Sequence, residues 1–244
     1  MAARKGHRPS KAPAGRPRFW GKHAVGAALA NPERTVRKIM GTREALAGFD
    51  LPAAVPVTFA EATDLARLVP GDAPHQGVVI EVEPLEDMWL ADLLEHGKDD
   101  NRPLVILDGV TDPHNVGAIL RSAAAFDALG IVTPDRNAPP ESGTIARAAS
   151  GALETVPWIR VVNLARALEE IAEAGFWRIG LTGHATQTCP RRWARSASRS
   201  CSVPRAKACA RTPRITATNS PSSPSRKRSR ASTSRTPRRS HSTR

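Results

Sequence analysis

Asn115, Gly117, Arg121 and Ser122 are the residues whose types and spacing could do chemistry in this chain. They follow Leu104-Val-Ile-Leu-Asp-Gly-Val-Thr-Asp-Pro-His, which reads as a buried strand running into a tight polar loop. Asn115 is placed as the N-cap of the helix that comes next, its side-chain oxygen accepting a backbone N–H two or three residues on. Gly117, in the first turn, removes a side chain and lets another group approach the backbone. On that helix Ala118, Arg121, Ser122 and Ala125 share one face, while Val116, Ile119, Leu120 and Ala123 point elsewhere, toward a core. A small-residue face carrying one arginine, at the C-terminal end of a parallel strand, is where open α/β sheets bind ligands. In isolation, a cap and a surface ion pair would explain these residues far better than a reaction centre does. The specificity lies in the whole pattern, Asn-x-Gly-x-x-x-Arg-Ser after Leu-Asp-x-x-x-Asp-Pro.

The elements that must position these residues read as two α/β series. In the first, helices are expected at 23–30, 42–47 and 61–68 and strands at 36–40, 55–59 and 77–82. A charged connector with a helix around 88–95 follows. The second series has strands at 104–107, 130–132, 158–162 and 176–181 and helices at 116–128, 142–149 and 164–174. Continuous apolar strands between helices predict a mostly parallel sheet covered on both faces. The expected organisation is a basic, disordered N-terminus at 1–18, a small α/β domain at 19–84, a linker at 85–103, a second α/β domain at 104–188 and a tail at 189–244.

The net charge of +13 points to a polyanion partner until its distribution is read. The tail holds 16 of the 36 Lys and Arg residues and no Asp or Glu, leaving 20 basic against 23 acidic residues before it. The basicity thus belongs to the tail, which also lacks glycine and leucine. Such a composition cannot bury enough surface to offset its chain entropy, so disorder is expected there. Cys189, Cys201 and Cys209 all lie in the tail at spacings that make no paired metal motif. A cysteine-free body fits a reducing cytoplasm, and no apolar run reaches membrane-spanning length. His23, His75 and His114 are too scattered to suggest a metal. Trp20, Trp89, Trp158 and Trp177 are expected mainly as core or interface residues, with a minor share for stacking on bases.

The central pattern resembles the first motif of the SpoU–TrmH family of RNA ribose 2′-O-methyltransferases. Phe-Trp-Gly-Lys-His-Ala-Val-Gly-Ala-Ala-Leu at 19–29 and His75-Gln76-Gly77-Val78 resemble the N-terminal substrate-binding domain of some members. Arg147-Ala-Ala-Ser150-Gly151-Ala152 is similar to the family's Ser-Gly-Ala turn. The likeness covers residues 19–188. It implies methyl transfer from S-adenosylmethionine to a ribose 2′-hydroxyl of RNA, with ribosomal RNA and a guanosine favoured over transfer RNA. It also implies a C-terminal trefoil knot and a homodimer. Arg121 and Asn115 would be catalytic, Gly117, Ser122 and Ser150 substrate-binding, and Thr182 and Gly183 the part of the cofactor loop that remains. A free guanidinium holds its proton to above about pH 12, so phosphate contact suits Arg121 better than service as a base.

The family's two further motifs, Gly-x-Glu-Gly-x-Gly-Leu-Arg and Ser-Leu-Asn-Val-Ser-Asn-Ala, do not occur in residues 189–244. Codon arithmetic accounts for this. Taking the last base of each codon with the first two of the next, residues 200–211 permit Val-Leu-Gly-Ala-Glu-Gly-Lys-Gly-Leu-Arg. In the same frame residues 228–244 permit Ile-Glu-Ser-Leu-Asn-Val-Ser-Asn-Ala. The expectation is a frameshift between about Gly183 and Arg192, which would remove the last strand and the closing helix, prevent the knot and leave one sheet edge open. A competing expectation is a nucleic-acid-binding protein without catalysis, its Arg/Ser-rich tail acting as an electrostatic arm.

Overall fold

A computed structural model describes residues 15–71, 73–98 and 101–182 and the short strands at 187–188, 201–204 and 214–216. Residues 1–14, the greater part of the expected disordered N-terminus, lie outside it. In the first unit, β1 (Arg18–Trp20), α1 (Lys22–Ala30), β2 (Val36–Gly41), α2 (Arg43–Leu46), β3 (Val57–Phe59), α3 (Ala62–Ala66) and β4 (Val78–Val82) follow one another. The strand order is β1-β4-β2-β3, with β4 antiparallel to β1 and β2, and β2 parallel to β3. Arg18–Trp20 carries no strand signal in the sequence, because three residues are too few to show alternation.

The second unit runs α4 (Leu90–His96), β5 (Leu104–Asp108), α5 (Pro113–Ala125), β6 (Gly130–Pro134), α6 (Gly143–Ala149), a 3-10 turn (Ala152–Glu154), β7 (Trp158–Val161), α7 (Leu164–Glu173) and β8 (Ile179–Thr182). Then come β9 (Gln187–Thr188), β10 (Cys201–Pro204) and β11 (Arg214–Thr216). The sheet order is β7-β6-β5-β10-β8-β11-β9. Strands β7, β6, β5, β10 and β8 are parallel, and β11 is antiparallel to its neighbours. The apolar strands behave as doubly covered strands should: Leu104, Ile106, Leu107, Ile131 and Val132 are all buried. The expected tail without regular structure lies mostly outside the described residues, but two stretches of it are strands. The edge of β5 that the sequence leaves open carries β10, whose backbone pairs with β5 from Cys201↔Val105 to Pro204↔Asp108. A parallel neighbour satisfies a row of backbone groups that an exposed edge would leave unpaired, which is the physical reason that slot is filled. No helix among the described residues is long and apolar enough to cross a membrane.

The two units share one core. Phe19, Val25 and Ile80 of the first pack in the same cluster as Val116, Leu120 and Ile145 of the second. Helix α6 is wedged between them: a Cβ at Gly143 would stand 2.0 Å from the Trp20 ring and 2.1 Å from the Arg18 carbonyl oxygen. Arg34, whose side chain is fully buried, ties the seam with charge. Its Nε and Nη2 donate to Glu154 at 3.0 and 2.8 Å, and its Nη1 donates to Glu141 and to the Glu83 carbonyl. Asn31 Nδ2 adds a hydrogen bond to Glu154 at 2.8 Å, and the Leu85 N–H donates to Glu141 at 3.3 Å. The Phe19 ring lies 5.1 Å from the guanidinium carbon. Burial pushes the Glu141 carboxyl up, with Arg34 pulling in the opposite direction. A shared core with a hydrogen-bonded charged seam fixes the first unit relative to α5 and α6.

Candidate active site

Helix α5 begins one turn earlier than its apolar pattern suggests, and its cap is Asp112 rather than Asn115. The Asp112 carboxylate accepts from the N–H groups of His114 at 3.2 Å and Asn115 at 3.3 Å, and Pro113 opens the helix. Asp-Pro is the signal that identifies this start: a carboxylate caps the free N–H groups, and proline's fixed φ suits the first helical position. Asn115 therefore sits inside the first turn, partly exposed, and its side-chain amide is bonded to no described residue. It is released from capping and free to meet a substrate.

Gly117 also departs from its expected role. It is buried, and the group that approaches its backbone is α6. A Cβ there would stand 2.5 Å from Ala148 Cβ, 2.8 Å from the Ile145 carbonyl oxygen and 3.1 Å from the Ala149 nitrogen. No room for substrate remains on that atom. Gly117→Ala should lower stability by about 1–3 kcal/mol through overpacking, despite alanine's better helix propensity. Urea unfolding of the pair checks this, and an unchanged midpoint would mean the helices can part at no cost.

Arg121 lies one helical turn beyond Gly117 on the same side of α5. It is exposed and makes no hydrogen bond or ion pair with any described residue. Ser122 is exposed too, but its hydroxyl donates to the Ala118 carbonyl at 2.9 Å, leaving only acceptor capacity for a ligand. Ser150 caps the C-terminal end of α6 with φ of 50°, followed by Gly151 with φ of 95°. Two successive left-handed residues make a sharp turn that a second β-carbon-bearing residue would strain. Because Ala149 touches Gly117, this turn lies beside the early part of α5. The close approach of α6 to Gly117 thus sets the Ser150 turn beside α5, the helix that carries Asn115 and Arg121. Thr182 is not among them: its strand is separated from β5 by β10, and its backbone pairs with Arg214. Gly183 lies outside the described residues.

The seam arginine and the Gly143 wedge carry no motif, so the chemistry-bearing pattern alone does not find them. The only available sequence signal is a lone Arg34 beside the Asn31-Pro32 helix stop, which is too weak to distinguish a buried arginine from a loop cation.

Residues 102–202 match the SpoU rRNA Methylase family, and residues 19–88 match the RNA 2′-O ribose methyltransferase substrate-binding family. Fold and these matches together define an RNA methylase. The chain is 36% identical over 181 residues to the 23S rRNA (guanosine-2′-O-)-methyltransferase RlmB of Pseudomonas putida, covering 70% of this chain and 71% of that protein. It belongs to the SpoU methylase family. It is 46% identical over 111 residues to an uncharacterized tRNA/rRNA methyltransferase of Synechocystis, slr0955, spanning 45% of this chain but only 29% of that protein. The crystal structure of the SpoU methyltransferase AviRb from Streptomyces viridochromogenes superposes with a TM-score of 0.57 at 18% identity, over 81% of this chain and 83% of that one.

Proposed function

We propose that this chain is an RNA ribose 2′-O-methyltransferase directed at a guanosine of ribosomal RNA, with an intact substrate side and a cofactor side encoded out of frame. The observation that carries the reading is α5 and the left-handed Ser150 turn packed beside it: among the described residues the Asn115 amide and the exposed Arg121 guanidinium on that helix have no side-chain partner. The guanidinium fork matches a phosphate flanking the target ribose and holds the 2′-hydroxyl beside Asn115 by charge-assisted contact. The names borne by the relatives support ribosomal RNA and guanosine. A cytoplasmic protein and a homodimer are part of the same proposal.

S-adenosylmethionine is the methyl donor of this chemistry, and the residues present do not fit it. From Cys189 to Arg244 there is no glycine to form close backbone turns and no Asp or Glu to accept from a ribose diol or an ammonium. The strand Cys201–Pro204 coincides with residues whose offset reading is Val-Leu-Gly-Ala, the start of the missing glycine motif. Sequencing the gene across codons 183–192 tests the shifted frame: third bases that spell both missing motifs in the offset frame are expected, and bases that do not spell them overturn the frame assignment. The alternative of a basic arm is separated by truncation after Thr216, which keeps β10 and β11. Loss of salt-sensitive RNA binding on that cut favours the arm.

A further inference from the structure

The seam between the two units presents a polar track that leads toward Arg121, and three close approaches at glycines define it. At the first, a Cβ on Gly21 would stand 3.3 Å from Gln76 Oε1 and 3.6 Å from Arg147 Nη1. Arg147 donates to the Pro74 carbonyl, and Gln76 Oε1 accepts from the Lys22 N–H at 2.8 Å. The exposed Lys22 follows Gly21 directly, and the Arg147 guanidinium of the other unit thereby meets the chain at the same point. At the second, a Cβ on Gly151 would stand 3.0 Å from Ala27 Cβ and 4.0 Å from the His23 carbonyl oxygen, which sets the Ser150 turn against α1. At the third, Gly117 presses α5 on Ala148 and Ala149, next to that turn. Together they form a continuous sequence: Lys22 and Arg147, then the Ser150 turn, then the face of α5 that carries Arg121. Lys22, Ser150 and Arg121 are exposed, and Arg147 is partly so.

Another face of the seam, lined from both sides of α6 in the chain, has the reverse character. A groove of about 1140 Å³ there is lined by Glu33, Glu83, Glu86, Asp87, Glu141 and Glu154, with Arg16 and Arg160 as its cations. Its excess of carboxylates disfavours phosphate there, which leaves the Lys22–Arg147 side as the cationic approach.

We propose that Lys22 and Arg147 form a phosphate-binding site for the RNA strand outside the methyl-transfer centre, so that the strand crosses the unit seam before it reaches Arg121. The proposal rests on the RNA-methylase reading above. Because the Pro74 carbonyl holds the Arg147 guanidinium across the seam, that cation needs little ordering when the strand binds.

The test measures binding of an rRNA hairpin to the full 244-residue chain by anisotropy across a range of KCl. The tail contributes equally to every variant and cancels in the comparison. Removing one cation from a phosphate should lower the slope of log Kd against log salt by about 0.7–0.9. Lys22→Gln and Arg147→Gln should each show that drop, Arg147→Lys should not, and Arg166→Gln on α7 should match the parent. In a measurement that needs no variant, RNA should protect the Lys22 amine from acetylation more than it protects Lys38. If Arg121→Gln lowers the slope while the Lys22 and Arg147 variants keep the parent's slope and Lys22 is unprotected, RNA arrives by another route and the proposal falls. If Arg121→Gln also keeps the parent's slope, the α5 site itself is misassigned.

Discussion

Arg34→Ala should cost about 3–5 kcal/mol of stability, because it strands two buried carboxylates without a counter-charge. The guanidinium is fully buried and satisfies Glu154 twice, Glu141 once and the Glu83 carbonyl once. No water-exposed group can replace those four donations. Replacing Arg34, Glu141 and Glu154 together with apolar residues of similar volume should recover much of the loss, since the attraction within a buried cluster does little more than offset its desolvation. Urea unfolding followed by tryptophan fluorescence distinguishes the single from the triple variant. A single variant within about 0.5 kcal/mol of the parent would overturn the view that this cluster fixes the seam.

The deficit should also depend on pH, with a determinate sign. Burial already raises the Glu141 carboxyl above its ordinary value. A carboxyl whose folded pKa lies above its unfolded one binds protons more tightly when folded, so its contribution to stability falls as pH rises through that range. Removing Arg34 takes away the main influence opposing this rise. The stability gap between Arg34→Ala and the parent should therefore narrow as pH drops from about 7 toward about 5. A gap that widens on acidification would mean that the two carboxylates are not what the arginine neutralises.

Much of this architecture is legible in the sequence, and the parts that are not share a cause. Doubly covered strands such as Leu104–Asp108 and Gly130–Pro134 announce themselves as apolar runs, and Asn115, Arg121 and the Ser150 turn stand out by type and spacing. The cap escapes the apolar period, which points to Val116 as the first helical residue, whereas Asp112-Pro113 sets the start through backbone chemistry. Gly117 reads as room for a ligand because a missing side chain in a sequence does not say what occupies the space. Only the crossing of α5 and α6 identifies it as Ala148 and Ile145. Arg34 and Gly143 act across the unit seam, at sequence separations of 120 and more from their partners Glu154 and Trp20. No local periodicity reaches that far. The strand Cys201–Pro204 is hidden for a different reason: its residue types carry little strand propensity, and its position between β5 and β8 is set by the two neighbours.

The largest functional change should come from the reading frame. The 244-residue chain as encoded is expected to show no saturable S-adenosylmethionine binding at micromolar levels by calorimetry, whereas a chain re-phased near codon 188 should bind it and methylate rRNA. In the re-phased chain Arg121→Ala should reduce kcat by about 10²–10³, the scale for removing one charge-stabilising donor from a reacting centre. KM should rise less, because other groups such as those proposed at Lys22 and Arg147 bind the strand. Arg121→Lys restores charge without the planar fork, so it should recover RNA affinity more than rate. Asn115→Ala, which leaves the Asp112 cap and the Gly117 packing intact, should lower kcat without moving the unfolding midpoint. If Arg121→Ala keeps full kcat in the re-phased enzyme, the guanidinium only docks the strand, and Asn115 and the Ser150 turn would have to hold the reacting ribose without it.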